Sequence, residues 1–477
     1  MTLAPSSLPE ASTGVAVAGP SDPRTGRTAA YALCVLVTAA IFAAINRQIL
    51  VLLAEPIRQS LGLSDTQLGL LQGLAVTLFS GLAAVPIGWL ADRFGRRRLL
   101  AACVLVWAGA TAACGLAPDF TALFIAAAVL GIGEAGLTPI VYGLLPDAVP
   151  DRRRVLANGI FTVAAILGAG VGIALSGALV QALGSLGAAL PAELAQAVAG
   201  LEPWRLAFLC VALPGPLVAL LILLIPVRPA VTPARPGAAA SAGSPSWHYL
   251  RQHRRTVIGI FGGTGLGALG LAAVSNWLPV AATRLFGASP AEVGQGIGLG
   301  YILGTLAGAV AGAWAVRRLS GRHGRATPVR VTVWGLALGA VASAAMLMAG
   351  SALQLYVLFG LQVAALIAAS VLAPTLLQDM TPPALRSRLI AVGGLVTVSM
   401  ASLSPPLVGL MSDALIAVPS GLQWSLAAVS AVALGAGAAL IRTAEAPFVY
   451  TVDVVRLANA AADEAWSGTP GVARRPL

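Results

Sequence analysis

The sequence predicts an all-α membrane protein with twelve transmembrane helices arranged as two six-helix halves. Of the 477 residues, 58% are hydrophobic and 10% are charged, whereas a soluble domain usually carries about 25% charged residues. The apolar residues fall into twelve runs of roughly the 20 residues that a helix needs to cross a membrane. Arginines are concentrated in alternate connections between these runs, as expected when the chain crosses the membrane after each run.

The twelve predicted helices are separated by mostly short connections. Their ranges are 30–54, 68–91, 99–117, 121–145, 157–182, 205–227, 256–281, 292–316, 329–350, 353–377, 389–412 and 420–441. Because positive charge is retained in the cytoplasm, the arginine-rich connections and both termini are expected there. We therefore expect an integral protein of the bacterial cytoplasmic (inner) membrane.

One connection is long and rich in Pro, Ala, Ser and Arg, and we interpret it as a linker between halves. The sequence LPDAVP at 145–150, after helix 4, recurs as LQDMTP at 377–382, after helix 10. Parallel halves of this kind are typical of transporters that rock about a central cavity. The predicted organisation is a disordered cytoplasmic N-terminal tail (1–28), an N-terminal half (29–227), a cytoplasmic linker (228–255), a C-terminal half (256–442) and a cytoplasmic C-terminal tail with a short solvated helix (443–477).

The net charge of +11 does not indicate a nucleic-acid partner, because the basic residues are scattered between apolar runs and form no basic face. A membrane-embedded enzyme needs a nucleophile with a base, or a metal cluster, at membrane depth. The predicted spans contain one acid and no histidine, which disfavours an enzyme. No Gly-Lys-Ser/Thr phosphate loop is present, so ATP is not expected to drive the protein, and no cofactor or metal is predicted.

Glu134 is the only acid that we place well inside a span, near the middle of helix 4. Ionisable residues within a membrane are costly and usually functional, so we interpret it as a carboxyl that takes up and releases a proton as a cavity opens to each side. The alternative is a neutral structural acid, hydrogen-bonded between helices.

Arg47 is the only arginine within a span, and it can bind an anionic group or pair with Glu134. Counting residues from the predicted helix ends places the two at different depths, which leaves the pairing open. Snorkelling of Arg47 to the outer surface is the alternative. Asn46 in helix 1 and Asn276 at a comparable place in helix 7 complete the predicted substrate and proton site.

The connection between helices 2 and 3 reads GWLADRFGRRR at 88–98, which resembles the loop signature of the major facilitator superfamily. In that family this cluster latches the cytoplasmic ends of the two halves and opens as the protein rocks. The resemblance implies a cytoplasmic gating motif made of Gly88, Asp92, Arg93, Gly95, Arg96 and Arg97. A merely positive loop would explain the arginines but not the two glycines and the acid. The second half has Val316 where the acid would stand, so its latch is expected to be degraded.

A narrower resemblance, to the spinster branch of that family, rests on NRQIL at 46–50, EPI at 55–57, LGLSDTQLGLL at 61–71 and GIGEA at 131–135. It continues more weakly through WLP at 277–279, Arg284 and EVG at 292–294. Eukaryotic members move sphingosine phosphate and lysophospholipids. Two charges of the spinster pattern are missing, because Asn46 replaces an acid and Ala127 replaces an arginine. Proton coupling therefore rests on Glu134 alone.

The resemblance and the polar residues together imply a secondary active transporter that works by alternating access. We expect it to be proton-coupled and to move an amphiphilic, lysolipid-like molecule or an organic anion, acting as a monomer in the bilayer. Drug efflux and uptake of a small carboxylate are alternatives on the same fold. A non-transporting receptor is an alternative of another class.

Overall fold

The computed structural model describes residues 23–186, 200–226, 249–370, 372–382 and 385–467. Over these residues every regular element is a helix. Most of the predicted N-terminal tail and of the predicted linker, and the end of the C-terminal tail, lie outside the described residues.

The membrane-crossing helices follow the twelve predicted runs. They are α1 (Pro23–Leu52), α2 (65–94), α3 (Arg96–Leu116), α4 (Phe120–Ala148), α5 (Asp151–Leu186), α6 (Pro203–Leu223), α7 (Arg254–Phe286), α8 (Pro290–His323), α9 (Thr327–Ala345), α10 (Ala352–Ser370), α11 (Arg386–Ala414) and α12 (Gly421–Thr443). A further helix, α13 (Glu445–Ser467), follows them.

The helix count confirms the predicted fold class. Eleven continuous helical stretches of the described chain are long and apolar enough to cross a membrane, and one of them, Pro290–Met348, has 59 residues. That stretch is too long for one crossing and contains both α8 and α9. Gly324 separates the two helices with a φ of 51°, a left-handed conformation that glycine adopts without steric cost. Twelve crossings result.

The bundle has two sides, which we name by the residues they carry. The terminal side holds the start of α1 at Pro23 and the end of α12 at Thr443, and the distal side holds the ends of α7 and α11 at Phe286 and Ala414. Helices α1–α6 form one half and α7–α12 the other.

The two halves share a hydrophobic core on the distal side. There, Trp277 and Phe359 of the C-terminal half pack in one buried cluster with Leu52, Leu68 and Ile173 of the N-terminal half. On the terminal side, the described buried clusters each belong to a single half. The halves are therefore joined at the distal side.

Glycines allow the backbones of opposite halves to approach closely on the distal side. A Cβ atom at Gly73 of α2 would lie 2.2 Å from the carbonyl oxygen of Ser402 on α11. A Cβ atom at Gly298 of α8 would lie 2.7 Å from the carbonyl oxygen of Gly170 on α5. Small residues serve this purpose in membrane helices, where backbones must pack without a hydrophobic driving force.

The C-terminal tail forms the expected helix, α13, but the prediction that this helix is simply solvated is wrong. Phe448, Thr451 and Val452 are at most 1% exposed, and Glu445 accepts a 2.9 Å hydrogen bond from Nε of Arg330. One face of α13 is therefore buried against the terminal side of the C-terminal half. These buried residues recur at the spacing of one helix face, a signal that the sequence analysis missed.

We predict that Gly73→Val prevents the distal side from closing. The added side chain collides with backbone, which cannot yield as a flexible side chain would. Overpacking of this kind costs about 1–3 kcal/mol, which shifts the population roughly 5- to 150-fold. The readout is labelling of a cysteine introduced at Ser275, between the halves, by an impermeant thiol reagent added from the distal side. Gly109→Val is the control, because a Cβ there meets nothing within 4 Å. Equal labelling in both variants would contradict the prediction.

Candidate substrate site and distal gate

An ion pair joins α1 and α4 in the middle of the N-terminal half. Nε and Nη2 of Arg47 donate hydrogen bonds of 3.0 and 2.9 Å to Oε2 of Glu134. The Glu134 side chain is 1% exposed, whereas the Arg47 side chain is 57% exposed. The acid is therefore buried behind an arginine that faces open space.

The pairing corrects the sequence-based depth estimate and excludes snorkelling of Arg47 in this state. Helical hydrogen bonds continue past the end of α1, from the amide of Leu53 to Ile49 and from Ile57 to Leu53, into the short helix Ala54–Leu61. Arg47 thus lies 14 residues before the distal end of its helical path, and Glu134 lies 14 residues after the start of α4. At about 1.5 Å per residue, both are about 21 Å from the distal ends.

The surroundings of Glu134 are tightly packed. Gly131 and Gly133 precede it on α4, and Cβ atoms there would lie 2.4 Å from the carbonyl oxygen of Val76 and 2.8 Å from Trp107. These glycines let α4 approach α2 and α3. Oε1 of Glu134 is buried and has no hydrogen-bond partner among the described residues. Arg47 is the cation that compensates this buried acid.

A polar cavity of about 220 Å³ lies between the two halves at the level of Arg47. Its polar lining comes from both halves, with Arg47, Gln48, Gln72 and Thr77 on one side and Ser275, Asn276 and Tyr301 on the other. Asn276 thus shares this cavity with Arg47, and its role in substrate binding stays a prediction. A molecule in this cavity would contact both halves, as a transport substrate must.

Asn46 does not line the cavity, and its assignment to the substrate site is wrong for this state. It is fully buried, donates a 2.8 Å hydrogen bond to the carbonyl oxygen of Phe42 and accepts one of 2.7 Å from the Thr111 hydroxyl on α3. The side chain points the other way because Asn46 and Arg47 are adjacent, and neighbouring residues on a helix face different directions.

A cluster of charges, which we call the distal gate, joins the halves at the distal side. It consists of Glu55, Arg58, Asp65, Arg284 and Asp413. Arg284 donates to both carboxylate oxygens of Asp65 at 2.8 and 2.9 Å and to Glu55 at 2.7 Å. Arg58 donates to Glu55 at 2.9 and 3.1 Å. Bidentate arginine–carboxylate pairs are among the stronger polar interactions in proteins.

Asp413 adds a second connection to the distal gate. From the end of α11 it accepts hydrogen bonds from the amides of Asp65 and Thr66, at 3.0 and 2.9 Å, and one of 2.6 Å from the Thr66 hydroxyl. These amides begin α2, where Ser64 and Gln67 also form a capping box. An acid at a helix N-terminus satisfies free N–H groups and complements the helix dipole. One half therefore caps a helix of the other.

The carboxylate of Glu55 in the distal gate stays ionised near neutral pH. Burial raises the pKa of Glu55, but hydrogen bonds and charge from Arg58 and Arg284 outweigh burial, so its pKa lies below the usual value. A lowered pKa means that the ionised form stabilises this closed state at higher pH, and that the contribution is lost as pH falls through the lowered pKa. The sequence analysis quoted Glu55, Asp65 and Arg284 only as part of a resemblance. The signal it missed is that acids and an arginine of opposite halves share the predicted outer side.

The gating motif on the terminal side has a different set of contacts. Arg96 donates to the carbonyl oxygen of Gly143 at 2.9 Å and to Asp147 at 3.2 Å, and Arg97 donates to the carbonyl oxygen of Ile225 at 2.8 Å. All three partners belong to the N-terminal half. Gly95 makes the turn between α2 and α3 with a φ of 89°, as the motif predicts.

The other members of the motif are Gly88, Asp92 and Arg93. A Cβ at Gly88 would meet nothing within 4 Å, so no close helix approach occurs there in this state. Arg93 stacks with its guanidinium 5.7 Å from the ring centre of Trp89. The Asp92 side chain lies outside the described residues. The gating role of the motif stays a prediction.

A twelve-helix bundle whose halves enclose a polar cavity and meet on one side has the architecture of a membrane transporter. The family model of the Major Facilitator Superfamily matches residues 36–405, and the chain belongs to this family. This assigns the chain to a family of membrane transporters and not to a family of enzymes.

The solved structures and curated relatives add detail. A bacterial homologue of the human lysosomal transporter spinster, solved in an inward-facing and unoccupied conformation, matches with a TM-score of 0.71 at 22% identity, over 91% of this chain and 98% of that one. The sphingosine-1-phosphate transporter SPNS2 of Mus musculus is 32% identical over 27% of this chain and 24% of its own length. These two matches confirm the resemblance to spinster proteins.

Other relatives carry different names. An MFS-type efflux pump of Mycolicibacterium smegmatis is 26% identical over 52% of this chain and 53% of that protein. A probable L-galactonate transporter of Escherichia coli is 30% identical over 34% of this chain and 35% of its own length. The matched segments thus span about half or less of these curated relatives.

We predict that Arg284→Gln weakens closure of the distal side. It removes the bidentate partner of Asp65 and the pairing of Glu55 with the other half, while Arg58 still donates to Glu55. Breaking a fully buried pair costs about 3–5 kcal/mol, and a partly exposed one less. We expect at least a tenfold increase in labelling of the Ser275→Cys variant from the distal side.

Arg205→Gln is the matched control for this prediction. Arg205 also lies on the distal side, but its 2.6 Å hydrogen bond goes to Ala117 within the N-terminal half. If the control raises labelling as much as Arg284→Gln does, the gate is not what holds the halves together.

Proposed function

We propose that this protein is a proton-coupled secondary transporter for organic anions that works by alternating access. The observation that carries the proposal is the Arg47–Glu134 pair, in which the cation faces a polar cavity between the halves and the acid is buried. An exposed guanidinium at membrane depth suits an anionic group. A buried carboxyl beside it suits a proton.

Substrate and proton binding are linked through Arg47. An anionic substrate that binds the guanidinium draws it away from Glu134. A buried carboxylate without its cation is costly, so Glu134 takes up a proton as the substrate binds. When both leave, Arg47 pairs with Glu134 again. Because Asn46 and Ala127 stand where the spinster pattern has charges, proton coupling in this proposal depends on Glu134 alone.

We propose that the terminal side faces the cytoplasm of a bacterial cell, with both termini inside, because the arginine-rich connections lie there. The described conformation is then inward-facing, with the distal gate closed toward the outside. Opening of the distal gate and closing of the terminal side would expose the same cavity to the outside, which is alternating access.

We predict that Glu134→Gln abolishes proton-driven accumulation while it leaves substrate exchange intact. The amide keeps the shape and the hydrogen bond to Arg47 but takes up no proton. The measurement is uptake of labelled L-galactonate into proteoliposomes, with and without an imposed pH gradient, beside exchange at equal pH on both sides.

Glu292→Gln is the control for this experiment, because Glu292 is an exposed acid that caps the start of α8. It should keep its pH-driven uptake. A Glu134→Gln protein that still accumulates substrate against a gradient in response to pH would show that the proton travels elsewhere.

An amphiphilic substrate is a second candidate, and one observation favours it. An apolar cavity of about 490 Å³ lies within the C-terminal half, between α7, α9, α10 and α11. Leu271 lines this cavity, and Ser275, one helical turn further along α7, lines the polar one. A molecule with an anionic head at Arg47 would have space for an apolar chain close by.

Gly394→Leu separates the two candidates. Gly394 lines the apolar cavity, and a Cβ there meets nothing within 4 Å, so leucine fills the space without strain. For an amphiphile transporter, binding of sphingosine-1-phosphate should weaken by roughly tenfold, while binding of L-galactonate is unchanged. Gly435→Leu on α12 is the control, with equally open space at its Cβ. No loss of sphingosine-1-phosphate binding in Gly394→Leu would remove the amphiphile candidate.

A further inference from the structure

Gln72 on α2 is a buried amide without a partner. It is 3% exposed, and neither Nε2 nor Oε1 has a hydrogen-bond partner among the described residues. Leaving a buried amide unpaired is unfavourable, since it has lost its water without gaining a protein partner. The side chain lines the polar cavity between the halves. A polar group of a ligand in that cavity can supply the hydrogen bonds that the protein does not provide to Gln72.

The backbone around Gln72 is unusual. The segment Leu71–Leu78 is a π-helix within α2, a form that is rare and frequently occurs at functional sites. The Thr77 hydroxyl donates a 3.2 Å hydrogen bond to the carbonyl oxygen of Gln72. The neighbouring Gly73 is pressed against the backbone of Ser402. The backbone at Gln72 is therefore held in place against α11.

The cavity surrounds Gln72 with groups suited to a small polar anion. Arg47 supplies the cation, and Ser275, Asn276 and Tyr301 supply further polar groups from the other half. Its volume of about 220 Å³ corresponds to about seven water molecules at roughly 30 Å³ each. This is space for a molecule of about ten non-hydrogen atoms.

We propose that Gln72 determines specificity by binding a hydroxyl or amide group of an organic anion whose acidic group is held by Arg47. An amide donates through Nε2 and accepts through Oε1, and a hydroxyl or amide on the ligand can do both in return. The substrate class is then a small hydroxy acid or amido acid. This inference rests on the anion site assigned to Arg47.

Mandelate and phenylacetate test the assignment, because they differ by one hydroxyl and both have about the size of the cavity. Binding of each to the purified full-length protein is measured by titration calorimetry. We expect the wild-type chain to bind mandelate about 3- to 10-fold more tightly, the range of one neutral hydrogen bond. In Gln72→Leu the preference should disappear, through weaker mandelate binding with phenylacetate unchanged.

Gln354→Leu is the matched control. It makes the same chemical change at an exposed glutamine that hydrogen-bonds the amide of Gly350, and it should keep the preference. If Gln72→Leu loses its fold, Gln72→Met makes the same comparison with an unbranched side chain.

The possible failures are distinguishable. Equal binding of the two acids by the wild-type chain, binding of neither, or equal weakening of both by Gln72→Leu would each overturn the role of Gln72. Arg47→Gln tests the underlying site separately, and it should weaken both acids alike. If Arg47→Gln leaves both unchanged, the anion site itself is wrong. If it weakens both while Gln72→Leu keeps the mandelate preference, only the assignment to Gln72 fails.

Discussion

The arrangement of the N-terminal half is constrained by the free-energy cost of burying one carboxylate, that of Glu134. Glu134 lies at membrane depth with a side chain that is 1% exposed, and a charge in such a place needs a cation or a proton. Arg47 supplies the cation, and it does so from the wall of the cavity, where a substrate can compete for it. The glycines that bring α2 and α3 against α4 pack tightly around this one group, and the proposed linkage between substrate and proton depends on it.

Much of the fold follows from the sequence, because membrane helices must satisfy their own backbone and therefore leave long apolar runs. The twelve runs and the two halves are visible in that pattern. The break between α8 and α9 is visible as well, because the polar segment RRLSGRHGRA at 317–326 interrupts the apolar pattern, although α8 itself continues to His323. The buried face of α13 was missed, although Phe448, Thr451, Val452 and Val455 recur at the spacing of one helix face. The charged residues of this segment favoured the interpretation of a solvated helix.

The candidate site was predictable only in part. Glu134 and Arg47 stand out because a charge in an apolar run is rare, but their contact depends on the helical extension to Leu61, which counting from predicted helix ends ignores. Asn46 was assigned to the cavity although it does not line it. Adjacent residues on a helix face different directions, and only the structure shows which of Asn46 and Arg47 faces the cavity. Gln72 is uncharged and gives no signal in the sequence, although its lack of a partner is plain once neighbouring atoms are in place.

The contacts between the halves also bear on how the protein moves. At Gly73 and Gly298 the opposing backbones lie so close that no side chain fills the space between them. A contact made of backbone has no side chains that can rearrange to keep touching as the helices separate, so it is either complete or lost. Packed interfaces of this kind are bistable rather than continuously deformable. For the proposed alternating-access transporter, these glycines thus favour two discrete positions of the halves with few stable intermediates between them.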